Sequence, residues 1–288
     1  MAKSPAHKFG QMIGNLLETI LVPTLQQFCD HRKLYLDKKG ARGKARKGNK
    51  VTWQDKYGNF HDLDFVIEKD GTNEKIGRPL VFLEVAWRRY TKHSRNKAQE
   101  IQGAVLPIAE KYDWDAPFKG VILGGVFTDG SLQQMKSRGF HILYFPYETV
   151  VNAFAAVGIN ADFNEGTADK TFNKIILKYE SLSRSEKHKI ESSLYALNKT
   201  KIENFMDTLK ETLDRSIDKI LIIPLYGKEY NFFSVEDAKN FLKEFGIKES
   251  ENYFRKYELI VRFNNGDKIE GSFTDQKKAL EFLGHIAT

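Results

Sequence analysis

The sequence predicts a mixed α/β fold in which helices flank a central sheet, followed by a smaller C-terminal α+β part. Three observations favour this fold class. An amphipathic helix pattern opens the chain, strand patterns then alternate with helix patterns, and the last quarter contains two similar hairpin–helix segments. The 288 residues are enough for one large domain or two ordinary ones.

The predicted elements follow from hydrophobic spacing and turn residues. Apolar side chains recur at helical intervals over residues 9–28, and Ser94 is expected to cap a second helix over residues 95–112. The central-sheet strands and further helices are predicted, in chain order, as strands 51–53, 61–68, 79–87 and 121–127, helix 130–138, strand 140–145 and helix 147–157.

The polar segment 164–170 indicates a domain boundary. We therefore predict a core over residues 1–165, a helical connector over residues 166–216 and tandem hairpin–helix units over residues 217–288. Ser234 and Thr274 are the expected N-caps of the last two helices. The C-terminal part is expected to serve DNA recognition or dimerisation.

Composition limits the class of protein. Hydrophobic residues make up 41% of the chain and charged residues 29%, which is a normal globular balance. No apolar run is long enough to span a membrane, and the N-terminus lacks a secretory apolar core. The single cysteine, Cys29, excludes an internal disulfide and a Cys-rich zinc site, and we expect it to be a buried helix residue. A cytoplasmic protein is expected.

Positive charge is concentrated near the N-terminus. Residues 1–60 contain 12 Lys or Arg against 4 Asp or Glu, whereas residues 61–169 contain 12 against 15. The excess lies in a glycine-spaced segment that suits a mobile loop closing over a phosphate backbone, although a solvated linker has the same composition. The predicted DNA-binding residues are Lys38, Lys39, Arg42, Lys44, Arg46, Lys47 and Lys50.

Two acidic residues interrupt strands that are otherwise apolar. Asp64 stands in LDFVI and Glu84 in FLEVAW, with one hairpin-sized connection between the two strands. A charge in a buried strand is unfavourable unless a metal ion or a charged partner compensates it. Hydrolysis of a phosphodiester by a bound Mg²⁺ ion needs such carboxylates. A structural ion pair or a solvent-facing edge strand is the alternative interpretation.

These residues resemble a known family. The order of a helix with Glu18, a strand with Asp64, a strand with Glu84 and then alternating helices and strands is similar to the PD-(D/E)XK nuclease superfamily, over about residues 9–157. The resemblance implies a restriction-endonuclease-like sheet, with Asp64 and Glu84 as the two acids of the motif and Glu18 as the assisting acid of the first helix. Leu63 stands where the motif has proline.

Two positions leave alternatives open. Asp62 is two residues from Asp64, on the same face of the predicted strand, and is its rival as a metal ligand. The motif lysine belongs two residues after the second acid, where this chain has Ala86. Some members carry this lysine on the following helix, and Lys97 lies on the predicted inward face there. Lys92 is the weaker substitute.

The resemblance implies a Mg²⁺-dependent endonuclease that cuts double-stranded DNA at specific sites, as a type II restriction enzyme does. Asp64, Glu84, Glu18 and Lys97 would form the catalytic site, and a homodimer and a cognate DNA methyltransferase are the further expected partners. A structure-selective repair or recombination nuclease, an inactive DNA-binding member of the same fold and a protein-interaction module are the alternative functions.

Overall fold

The computed structural model describes residues 4–164, 166–224, 228–245 and 256–287. The chain divides into two compact units. The first comprises Met1–Lys111 and Phe118–Thr208, and the second comprises Tyr112–Pro117 and Leu209–Thr288. None of the helices in the described ranges has an apolar stretch long enough to cross a membrane.

The first unit contains a five-stranded mixed sheet. The elements of this unit are, in chain order, α1 (Pro5–Arg32), β1 (Leu34–Lys38), β2 (Val51–Gln54), β3 (Phe60–Leu63), β4 (Phe65–Lys69), β5 (Arg78–Arg88), α2 (Thr91–Lys111), β6 (Phe118–Gly125), α3 (Asp129–Ser137), β7 (Phe140–Pro146), α4 (Tyr147–Ala155), α5 (Asp169–Glu180) and α6 (Arg184–Leu197). Helix α7 (Lys199–Leu213) begins in this unit and ends in the second. The strand order is β1-β4-β5-β6-β7. The pairs β1–β4 and β4–β5 are antiparallel, and the pairs β5–β6 and β6–β7 are parallel. The predicted mixed central sheet flanked by helices is confirmed.

Helix α1 is longer than the predicted helix at both ends. The hydroxyl of Ser4 accepts the amide of His7 at 3.2 Å, Pro5 occupies the first turn, and Lys33 ends the helix with φ 55°. One face is buried along the whole length, and Cys29 belongs to it as predicted. The buried residues of this face are Phe9, Ile13, Leu16, Leu17, Ile20, Leu21, Leu25 and Cys29.

The antiparallel part of the sheet differs from the prediction in two ways. Leu34–Lys38 forms the edge strand β1, where no strand was predicted. The segment 61–68 is not one strand, because the chain bends at Asp64. Before the bend, β3 pairs with β2 in a separate two-stranded sheet, and after it β4 joins the main sheet.

Helix α2 begins at Thr91 rather than after Ser94. The side chain of Ser94 is fully buried, and its hydroxyl donates to the carbonyl of Thr91 at 2.8 Å. Serine can donate back to a carbonyl of the preceding turn as readily as it can cap a helix, so the cap assignment was wrong. Pro107 lies inside the helix.

Helices α5 and α6 belong to the first unit, whereas the prediction set a boundary near residue 165 and a separate connector over residues 166–216. The ring of Phe172 in α5 lies 5.8 Å from that of Phe9 and 4.6 Å from that of Phe163. Helix α6 packs on α4 and α1 through a buried face of its own. The charged helical segment therefore buries an apolar face and covers the core.

The second unit is a four-stranded antiparallel sheet with two helices in the described ranges. Its elements are a short 3-10 helix (Asp113–Asp115), β8 (Ile217–Pro224), β9 (Tyr230–Phe232), α8 (Val235–Glu244), β10 (Tyr257–Phe263), β11 (Lys268–Phe273) and α9 (Gln276–Ile286), with strand order β11-β10-β8-β9. Ser234 caps α8 as predicted, whereas Asp275 caps α9 in place of the predicted Thr274. The most buried core residues are Ile220, Ile222, Ala238, Leu242, Leu259, Val261, Ala279, Phe282 and Leu283.

A buried ion-pair network holds the basic loop between β1 and β2. The guanidinium of Arg42 donates two hydrogen bonds to Glu68, at 2.6 and 2.8 Å, and lies 2.9 Å from Asp37. Arg46 donates to the other oxygen of Asp37 at 2.9 Å. All four side chains are at most 6% exposed. The loop is therefore fixed to the sheet by charged groups that compensate one another in the interior.

Replacement of Arg42 by Met is expected to destabilise the first unit, because it leaves Glu68 without its two-bond partner and Asp37 with Arg46 as its remaining ion-pair partner. Loss of one partner of a buried ion pair lowers the free energy of unfolding by about 3–5 kcal/mol. Urea unfolding measures this change. Lys44→Met, at a side chain that is 88% exposed, is the control and is expected to shift the value by less than about 0.5 kcal/mol. Equal stability of the two variants would contradict a structural role for Arg42.

Candidate active site

Asp64 lies at the bend where the chain leaves β3 and enters β4. One carboxylate oxygen, Oδ2, accepts the backbone amide of Val85 in β5 at 2.6 Å. Because Phe65 pairs with Leu83 in the antiparallel register, the residues next to them, Asp64 and Glu84, face each other where the pairing ends. The bend therefore places the two predicted acids on neighbouring positions of the sheet.

Glu84 lies in the middle strand of the sheet and is 8% exposed. Burial raises the pKa of Glu84 well above its ordinary value, and the negative charge of Asp64 raises it further. Burial also raises the pKa of Asp64, against the opposing effects of the Val85 amide and the Lys97 ammonium. Both carboxyls are held in surroundings that disfavour negative charge.

Glu18 belongs to the same group of acids. Helix α1 packs on β5 and β1, and Glu18 lies at the border of its buried face. Burial raises the pKa of Glu18 to about 7, with a further increase from the charge of Asp64 and a decrease from Lys39. Three carboxyls from a helix, a bend and a strand thus influence one another, and we call Glu18, Asp64 and Glu84 the acid cluster.

Lys97 is the cation next to the acid cluster on the α2 side. Its ammonium lowers the pKa of both Asp64 and Glu84, and its side chain is 14% exposed. Nζ donates to Glu100 Oε1 at 2.7 Å, which fixes the ammonium near the beginning of the helix. Ala86, where the motif has its lysine, is buried. The side chain of Lys92, the alternative, lies outside the described residues.

Lys39 is a further cation of this site that the prediction placed elsewhere. Lys39 was predicted only as a DNA-binding residue, whereas its charge lowers the pKa of Glu18 and of Asp64. It directly follows β1, and that strand pairs with β4. Recognition of β1 in the LYLDK pattern would have shown that Lys39 lies close to the acids.

Asp62 does not join the acid cluster. Its carboxylate forms an ion pair with Lys50 and accepts the hydroxyl of Thr52 at 2.7 Å, on the exposed side of the β2–β3 hairpin. These partners lower the pKa of Asp62, with Lys50 as the larger cause. The rule that residues two apart share a face holds only within one strand, and the bend at Asp64 ends that strand. The expectation that Asp62 shares a strand face with Asp64 was therefore wrong, and Asp62 has partners of its own.

The basic loop also differs from the prediction. Arg42 and Arg46 are buried and paired, so they cannot contact a phosphate backbone, and the loop is not the mobile strip that its composition indicated. Lys38 is half-buried and donates to Gln26 at 3.2 Å. The remaining lysines of the predicted set are exposed, namely Lys39, Lys44, Lys47 and Lys50.

The acid cluster offers only hard oxygen ligands. Among the described residues, no three His, Cys, Asp or Glu side chains are arranged so that they could hold a metal ion together. Mg²⁺ takes one or two protein carboxylates and fills its other positions with water and substrate oxygens. Asp64 keeps Oδ1 free of the Val85 bond, and Glu84 lies opposite. This donor set and its excess of negative charge fit a magnesium ion.

Comparisons with known proteins assign neither a family nor a function. The sequence matches no protein family and no curated protein. A structural comparison finds the crystal structure of AF1548, a protein of unknown function, at a TM-score of 0.29 and 9% identity, with 64% of this chain and 99% of that chain covered. Similarity at this level supports no argument about fold or activity.

The raised pKa of Glu18 predicts a specific dependence of stability on pH in the absence of divalent metal. A carboxyl that titrates at about 7 when folded and near its ordinary value of 4.5 when unfolded binds extra protons in the folded chain. Its contribution to the free energy of unfolding is therefore lost as pH rises from 4.5 to about 7.

Urea unfolding of wild type and Glu18→Gln across this pH range, in chelator, measures the effect. The variant is expected to lose less stability with rising pH than the wild type. Glu203→Gln, at a carboxylate on α7 that is 54% exposed, is the control and should follow the wild type. Parallel curves for all three proteins would show that Glu18 is not in a charge-disfavouring site.

Proposed function

We propose that this protein is a Mg²⁺-dependent endonuclease that hydrolyses double-stranded DNA at specific sites, in the manner of a type II restriction enzyme. The acid cluster carries the proposal, because it combines one buried carboxyl, Glu84, with two partly buried ones, Asp64 and Glu18, all with raised pKa values, beside Lys97. Carboxyls that perturb the pKa values of one another are more typical of a functional site than of a structural one. Exposed lysines on the preceding basic loop supply the charge that a DNA backbone requires.

Each acid has a distinct part in the proposal. Asp64 and Glu84 hold the cation, with the Asp64 carboxylate oriented by the Val85 amide, and Glu18 approaches from α1. A bound Mg²⁺ supplies a nucleophilic water and neutralises charge on the phosphate. Once the positive charge is present, the three carboxyls are stabilised in their ionised forms, which reverses the effect of burial.

Lys97 supplies the cation that the motif places at Ala86. Its ammonium is shielded from solvent and kept in place by Glu100, so it can stabilise negative charge on a phosphate held by the acids. Lys39 is exposed and lowers the pKa of Glu18 and Asp64, which suits a contact to the DNA strand being cut. A displaced lysine favours an active enzyme over the inactive DNA-binding alternative.

The finer fold assignment belongs to the same proposal. The order of α1, the β4–β5 pair with its acids and the α2-β6-α3-β7 continuation supports a restriction-endonuclease-like core. In the second unit, two hairpin–helix segments pair through β8 and β10, which supports tandem units for DNA recognition or dimerisation. A homodimer and a cognate methyltransferase fit a two-fold restriction site.

Removal of either metal-holding acid is expected to abolish cutting and to leave DNA affinity largely intact. Asp64→Asn and Glu84→Gln keep the size of the side chain and remove its charge. Plasmid digestion with and without Mg²⁺ measures cutting, and sequencing of the ends distinguishes specific sites from scattered cleavage by a repair nuclease. Asp62→Asn, a carboxylate outside the acid cluster, is the matched control and should cut normally. Near-normal cutting by Glu84→Gln would disprove the site.

Lys97→Ala is expected to slow the chemical step by roughly 10²-fold or more, the usual scale for a positioned electrostatic or proton-transfer group. Single-turnover cleavage at saturating protein measures this step without a contribution from binding. Lys92→Ala is the matched change one and a half turns earlier on the same helix, and it should have a much smaller effect. A larger effect of Lys92→Ala would mean that Lys92 is the functional lysine.

A further inference from the structure

The β2–β3 hairpin, residues 51–63, presents two aromatic rings to solvent at its turn. Tyr57 is 70% exposed and Phe60 is 69% exposed. They are three residues apart, whereas the other strongly exposed apolar side chains of the described ranges are scattered along the chain. A single exposed apolar residue is common and needs no explanation, but a pair on one turn indicates a contact surface.

The turn that carries these rings is held in one conformation. Asp55 is 3% exposed, and its carboxylate accepts the amides of Tyr57 and Asn59 at 2.8 and 2.9 Å. The same carboxylate contacts Nε2 of His61 at 2.9 Å, and Gly58 adopts φ 90°. Both rings are therefore exposed on an ordered turn, which lowers the entropy lost when they bind a partner.

The hairpin is also fixed to the body of the first unit. Trp53 packs against Phe82 of the main sheet with ring centroids 5.9 Å apart. The backbone amide of Lys56 donates to the carbonyl of Pro107 in α2 at 3.3 Å, and Lys111 donates to the carbonyl of Gln54 at 3.2 Å. The hairpin is a rigid projection whose inner face is buried and whose turn faces outward.

The hairpin leads directly into the acid cluster. Strand β3 ends at Leu63, and Asp64 follows it. At about 3.3 Å per residue, Phe60 lies roughly 13 Å from Asp64 along the strand, which is about four stacked bases of DNA. A duplex with one phosphate at the acids would therefore have its bases within reach of the two rings.

Charge decides the class of partner. Lys56 lies 5.0 Å from the Tyr57 ring and forms an ion pair with Glu110. Lys50, at the base of the hairpin, pairs with Asp62, and the loop before it exposes Lys47 and also Lys44, which pairs with Glu74. The basic loop contains seven Lys or Arg and no Asp or Glu over residues 38–50. A second copy of the chain docking beside it would therefore bring positive charges together, which is unfavourable. A polyanion with flat apolar bases matches both the charge and the rings.

We propose that Tyr57 and Phe60 form a wedge that stacks on bases of the bound DNA, so that a duplex with unstacked bases binds more tightly than a fully paired one. The inference rests on the proposed nuclease function and adds a specific contact to it. The wedge inserts between base steps and stabilises a bent duplex, and DNA that is already distorted binds more tightly because its bases need not be unstacked.

Equilibrium binding in chelator, where no cutting occurs, tests the wedge. A paired duplex is compared with the same duplex carrying two unpaired bases, one of them 2-aminopurine. Wild type is expected to bind the bulged duplex at least about fivefold more tightly, the lower limit for one stacked base, and to quench the 2-aminopurine fluorescence. The double variant Tyr57→Ala with Phe60→Ala should lose both effects. Leu177→Ala, at a side chain of α5 that is 66% exposed, should retain both.

Each contrary outcome has its own meaning. Equal affinity of wild type for the two duplexes, or a preference that survives in the double variant, would overturn the wedge. Loss of self-association in the double variant, with DNA binding unchanged, would overturn it as well, because the turn would then be a contact between copies. A wild type that binds no DNA would refute the nuclease proposal itself. A wild type that cuts plasmid DNA but binds the bulged and the paired duplex equally would refute the wedge and leave the nuclease proposal intact.

Discussion

The arrangement of the first unit depends on one hydrogen bond, from the amide of Val85 to the carboxylate of Asp64. A side-chain oxygen here takes the place that a backbone carbonyl of the neighbouring strand would otherwise occupy. The bend at Asp64 separates β3 from β4, so one segment of chain serves two sheets. The same bond ties Asp64 to the strand of Glu84 at the point where the β2–β3 hairpin leaves the hydrogen-bonded pairing of the main sheet. The acid site and the projecting hairpin therefore have a common origin.

The acid cluster is a region of unbalanced charge in an otherwise compensated interior. A few residues away, Arg42 neutralises Glu68 and Asp37 with short, direct bonds. Among the residues that the structure describes, no cation forms such a bond with the acid cluster. Lys97 is bonded to Glu100, and its influence on the acids is electrostatic. Buried carboxyls that remain uncompensated are stable only when protonated or when a cation joins them. This contrast between two neighbouring groups of acids favours a cation-binding role for the second.

Sequence patterns identified the acids but could not place their surroundings. Asp64 and Glu84 interrupt apolar runs, and that local pattern is enough to select them. The surroundings of the acids depend on contacts between residues that are far apart in the chain. The residues around Arg42 in the sequence are those of an exposed loop. Arg42 is buried because it forms an ion pair with Glu68, which lies 26 residues later in the chain. The extent of the first unit depends likewise on helices beyond residue 165 that cover α1 and α4, which periodicity reveals as amphipathic but cannot assign to a partner.

Proton release on addition of Mg²⁺ tests the cation site most directly, because it needs no DNA and no cutting. Calorimetric titration near pH 6.5, in buffers with different ionisation enthalpies, counts the protons released per ion bound. Burial raises the pKa of Glu18 to about 7 and the pKa of Glu84 well above its ordinary value, so binding of the ion should displace protons from the acid cluster. The account predicts net proton release that is lost in Asp64→Asn. Binding of Mg²⁺ without proton release, or no binding at all, would contradict it.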